Sequence, residues 1–122
     1  MKCFHWNVEG DELYKKFKSF FSTRSTSIDW VAERIRVLGQ KTDGHLFSYL
    51  KNTEIIKSEI KSNAKQVVSS TLIDSEIICD NFKKCIEASA AMNDLASTIK
   101  LASILEASQI HFWQLSVWNI KK

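Results

Sequence analysis

The sequence contains no proline and only three glycines, at positions 10, 39 and 44. Proline interrupts helices, and these two residue types together punctuate turns and strands, so a chain without them is free to run in long helices. The glycines divide it into a short head, a segment from Asp11 to Leu38, and a long remainder. Glycine just past an apolar run is the usual helix stop, because it takes a left-handed backbone without a Cβ clash. Asp11 is the expected cap of the segment that follows Gly10.

From Asp11 to Leu38, residues Leu13, Phe17, Phe20, Phe21, Ile28, Val31, Ile35 and Leu38 recur at helical steps and predict one amphipathic stripe. Its weak stretch is Ser22-Thr23-Arg24-Ser25-Thr26-Ser27, where hydroxyl side chains compete for backbone hydrogen bonds, so tertiary packing is expected to hold it. His45 to Asn52 reads as a short helix or compact loop. A second long helix is predicted from about Ser62 to Met92, through Val67, Val68, Thr71, Leu72, Cys79, Phe82 and Ile86. After the polar break Asn93-Asp94, which offers a cap, a third long helix is expected to run to about Asn119.

At 122 residues the chain has the length of one domain, about 100 to 150 residues, and residues 1–122 are read as a single folding unit. Its 44% hydrophobic and 25% charged residues suit a globular protein rather than a disordered one. No apolar run approaches the roughly 18 residues that span a bilayer, and the first ten residues lack the apolar core of a signal peptide. Cys3, Cys79 and Cys85 form neither a disulfide framework nor a structural zinc pattern, which fits a reducing cytoplasm. A net charge of +3 is too small to identify a nucleic-acid binder.

Asp29 and Glu33 stand four apart, so their carboxylates point the same way, roughly 120 to 160° from the centre of the apolar stripe. The spacing leaves two readings open: solvated surface acids, or a pair of hard oxygen ligands for a cation such as iron. Trp30 also turns off the stripe, which suggests that this face is covered by a partner. His5 is either structural or a ligand, and Trp6, Trp113 and Trp118 are core or interface residues by default.

The run His5-Trp6-Asn7-Val8-Glu9-Gly10, followed by Asp29-Trp30-Val31-Ala32-Glu33-Arg34-Ile35, resembles the two signatures HWxVxG and DxxAERI of the Dps family (DNA-binding protein from starved cells), the mini-ferritins of the ferritin superfamily. Weaker likeness continues through Leu38-Gly39, Phe47 to Leu50, Asp94 to Ser97, Ile104 to Glu106 and Trp113 to Leu115. The resemblance implies an all-α, ferritin-like four-helix bundle with a short connecting helix, in a dodecameric homo-oligomer. It implies iron sites at the two-fold interface, with His5 given by one subunit and Asp29 and Glu33 by its partner. The activity implied is oxidation of Fe(II) by hydrogen peroxide or oxygen and storage of ferric iron, which protects against oxidative damage. Trp6 beside such a site is either a one-electron donor or an interface residue.

Several positions depart from the family pattern. Tyr14 falls where the family carries a second histidine, and a neutral phenol with a reference pKa of about 10 is a weaker ligand than imidazole. Lys18 falls where an acid is common, and a cation there repels iron. Of the acids that line a three-fold channel in the family, Asp94 remains. Only Met1 to Phe4 precede HWxVxG, so the first helix is expected to be truncated, or to begin upstream of Met1, and no lysine-rich arm for DNA phosphates is seen. A non-catalytic helical assembly protein of the same ancestry is the alternative.

Overall fold

The computed structural model describes residues 11–42, 44, 51–53, 55 and 63–121. They form three long helices: α1 (Asp11–Val37), α2 (Ala64–Ala91) and α3 (Leu95–Lys121). Each predicted helix is found within two or three residues of its expected ends. Asp11, expected to cap α1, is its first helical residue instead. Of the connecting piece predicted over 45–52, Lys51 and Asn52 are helical and the rest lies outside the described residues. The expected truncation of a first helix before His5 also lies outside them.

The ends of α1 and α2 are set by local chemistry. Gly39, with φ of 96°, follows α1, and its N–H donates to Arg36 O while Gln40 N–H donates to Ile35 O. That crossed pair is a Schellman close, which returns the last carbonyls to donors. Asn93, with φ of 59°, repeats the motif after α2, with bonds from Asn93 N to Ala90 O and from Asp94 N to Ser89 O. Asp94 then opens α3: its Oδ1 accepts from Ser97 N–H at 3.2 Å. Asn63 caps α2 in the same way, accepting from Lys65 and Gln66 N–H.

α2 and α3 form the main packing surface, and α1 meets α3 over a smaller one. The core joins Leu13, Phe17 and Phe20 of α1, Val67 and Val68 of α2 and Leu115 of α3, with Ala64, Leu72 and Trp118 against it. Phe17 and Phe20 meet edge to face at 6.1 Å between centroids. The Ser/Thr stretch of α1 is helical. Ser22, Thr23, Thr26 and Ser27 each donate to the carbonyl four residues back, at 3.1 to 3.2 Å. The competition expected from these hydroxyls is thereby absorbed inside the helix.

The apolar stripe of α1 is covered over only part of its length. Leu13, Phe17 and Phe20 are buried, whereas Ile28 is 65% exposed and Leu38 55%. Among the described residues nothing seals the C-terminal half of this stripe.

Candidate metal face and the buried arginine

The face of α1 opposite the core carries the residues singled out from sequence. Counting 100° per residue, Tyr14, Lys18, Ser22, Asp29 and Glu33 fall within about 60° of one line, on the side away from Phe17 and Phe20. Tyr14, Lys18, Asp29 and Glu33 are all exposed, and Trp30 is half-buried beside them. Asp29 and Glu33 are one turn apart, so a single cation can reach both. Tyr14 stands fifteen positions before Asp29, roughly 22 Å along the axis at 1.5 Å per residue, beyond the reach of one ion bound to Asp29 in the same copy. His5 and Trp6 lie outside the described residues. Among the described residues no group of three or more His, Cys, Asp or Glu side chains gathers into a metal site.

Arg34, adjacent to Glu33, turns to the other side of α1. Its Nε–H donates to Ser97 Oγ and its Nη2–H to Asp94 Oδ1, both at 2.9 Å. Asp94, expected as the surviving acid of an iron channel, is therefore engaged by the cap of α3 and by Arg34. Hydrogen bonds from the Ser97 hydroxyl and N–H, then Arg34, hold its carboxyl below the usual carboxylate range. Arg36 donates to Gln40 O at 3.2 Å.

A second polar cluster lies inside the bundle. Arg24 follows Phe20 by one turn and is half-buried near Cys79 of α2, which is buried. Burial lowers the guanidinium pKa, an effect offset in part by the Cys79 thiol, and burial raises that of the thiol. His111 of α3 stacks on Phe20 with centroids 4.2 Å apart. Burial, then the nearby charge of Arg24, pushes its imidazole below the ordinary value. Sequence reading passed over Arg24 because it sat in the Ser/Thr stretch. The signal was its register: four after Phe20 and four before Ile28, a cation at a core position of the stripe.

Long helices closing one shared core define a helical bundle. In sequence and in fold the chain is similar to the Dps-family, ferritin-like proteins. It is 29% identical over 115 residues to DNA protection during starvation protein 2 of Bacillus anthracis, covering 92% of this chain and 79% of that protein. The crystal structure of a Dps protein from Bacillus brevis matches with a TM-score of 0.89 and 27% identity, over 96% of this chain and 80% of that one. The fold is shared with the Dps protein of Vibrio cholerae O1, a member of a broad superfamily of ferritin-like diiron-carboxylate proteins, at a TM-score of 0.90, 21% identity, and 96% and 76% coverage. No family model matches the sequence. No helix among the described residues is long and apolar enough to cross a membrane.

Proposed function

We propose that this protein takes up Fe(II), oxidises it with hydrogen peroxide or oxygen, and holds the ferric product inside a homo-oligomeric shell, most simply a dodecamer, in the cytoplasm. The observation that carries this reading is the placement of Asp29 and Glu33: two exposed carboxylates one turn apart, turned away from their own core. They complete a site only with groups from a second copy. Two α1 helices packed antiparallel about a two-fold axis near Ser22 bring Tyr14 of one copy level with Asp29 of the other, since Ser22 is close to midway between them. His5 of that same copy supplies the imidazole ligand, and Trp6 beside it supplies an electron. The Ser/Thr stretch falls at the crossing, where short side chains let two helices approach closely.

Imidazole nitrogen with two carboxylates suits iron and leaves coordination positions for the oxidant. With peroxide, each of two Fe(II) ions gives up one electron, the O–O bond breaks, and two protons complete two water molecules. Asp29 and Glu33 hold the ion as its charge rises to +3.

A second reading, an assembly protein of Dps ancestry without ferroxidase activity, is favoured by the exposed Lys18, a cation on the same face as the two acids. DNA binding would require clustered cations on one face or tail, so it ranks below both readings here.

The deciding experiment is anaerobic addition of Fe(II) to metal-free protein followed by peroxide, read as ferric absorbance, with Asp29→Ala/Glu33→Ala alongside and light scattering for size. Oxidation above the protein-free control that disappears in the double variant is expected. An assembled protein indistinguishable from that control would leave the second reading, and a monomer would remove the shared site altogether.

A further inference from the structure

A slot of about 730 Å³ runs between α1 and α2. This is within the roughly 300 to 1,000 Å³ typical of small-molecule sites. Its walls are Ile28, Val31 and Ile35 of α1 and Ile78 and Phe82 of α2, and along α1 the lining begins at Arg24. From Arg24 to Ile35 the wall is about 16 Å long at 1.5 Å per residue. The exposure of Ile28 and Ile35 leaves it open along one side.

Arg24 is what gives this slot a chemical preference. Its Nε is buried and has no hydrogen-bond partner among the described residues. The titratable group beside it among the described residues is the Cys79 thiol, which burial holds toward its neutral form, and not a carboxylate. A partly buried guanidinium with no anion beside it among the described residues favours an acceptor bearing negative charge. Beyond Arg24 the walls are mainly aliphatic and aromatic, with Ser27, Thr42, Asn52 and Thr53 also in the lining and the exposed Lys41 at the far end. A ligand that matches both parts has one anionic head and an apolar tail. One guanidinium compensates a single negative charge, which favours a carboxylate over a phosphate dianion.

We propose that the slot binds a free linear alkanoate, with its carboxylate on the Arg24 guanidinium and its alkyl chain along Ile28, Val31, Ile35, Ile78 and Phe82. This does not depend on the iron reading, since Asp29 and Glu33 lie on the opposite face of α1. The same lining would also fit an apolar helix or a second copy of the chain, and the experiment separates these.

Lipid-stripped, full-length protein is titrated calorimetrically with decanoate and with decanol, below micelle concentrations. Saturable binding of one decanoate per chain is expected, with decanol weaker by at least about ten-fold, the cost of losing a charge-assisted hydrogen bond. Arg24→Gln should bring decanoate down to the decanol level and leave decanol unchanged. Val31→Trp, which fills the slot without touching Arg24, should abolish both, and circular dichroism checks that each variant is folded. Equal affinity for acid and alcohol, or unchanged decanoate binding in either folded variant, overturns the proposal. So does the absence of saturable binding in the assembled protein, the result expected if a helix or a second copy occupies the slot.

Discussion

Arg34 and Asp94, sixty positions apart in sequence, are joined at 2.9 Å, and the same Asp94 oxygen caps the first turn of α3. One carboxylate thus fastens α1 to the hairpin between α2 and α3. Arg34 also donates to Ser97 Oγ, so the guanidinium spans both residues of the cap.

The Asp94 contact should make stability depend on acid pH. Its folded pKa lies below the unfolded value of about 3.9, so its contribution is present above that pH and is lost as pH falls through the folded value. Asp94→Asn keeps an acceptor for Ser97 N–H and removes the charge. Thermal unfolding is expected to show the variant melting below wild type at neutral pH, with the gap closing below about pH 4. A gap that persists at lower pH would show that the charge is not what holds the joint.

His111 should titrate in the opposite sense from a histidine paired with an acid. Burial and Arg24 favour its neutral form, so the unfolded chain binds the proton more readily. Stability should be complete above the ordinary imidazole value of about 6.5 and decline as pH falls from there toward the lower folded value. An NMR titration of this imidazole with a midpoint at or above 6.5 would contradict that. His111→Phe preserves an aromatic partner for Phe20 and should remove this acid-side decline.

The core and the slot should differ sharply in their response to truncation. Phe17, fully buried between the three helices, should cost about 3 to 5 kcal/mol as Phe17→Ala in chemical denaturation. Ile28→Ala, four residues after Arg24 and mostly exposed, should stay within about 0.5 kcal/mol. If Ile28 proves as costly as Phe17, that half of α1 is covered in solution.

Helix positions were legible because their signals are local. Gly39 and Asn93 adopt the left-handed backbone that ends α1 and α2, and Asp94 caps α3 as its place after Asn93 suggested. The Ser/Thr stretch is helical, with four of its hydroxyls bonded back one turn. The outward direction of Asp29 and Glu33 was also readable, since a fixed angle per residue sets it.

The extents of the three helices, the cap at Asp94, the outward acids of α1 and the family motifs were therefore determined by the sequence itself, because each depends on residues within a turn or two of one another. What only the tertiary structure decided were the partners across helices. Arg34 finds Asp94 rather than Glu33 or a surface acid, Arg24 is half-buried with its Nε unpartnered, and the apolar stripe of α1 is sealed at Phe17 but open at Ile28. The periodicity says which way a side chain leaves its helix. Which helix it meets depends on crossings between segments sixty or more positions apart, and those follow from burying Leu13, Phe17, Phe20, Val67, Val68 and Leu115 together.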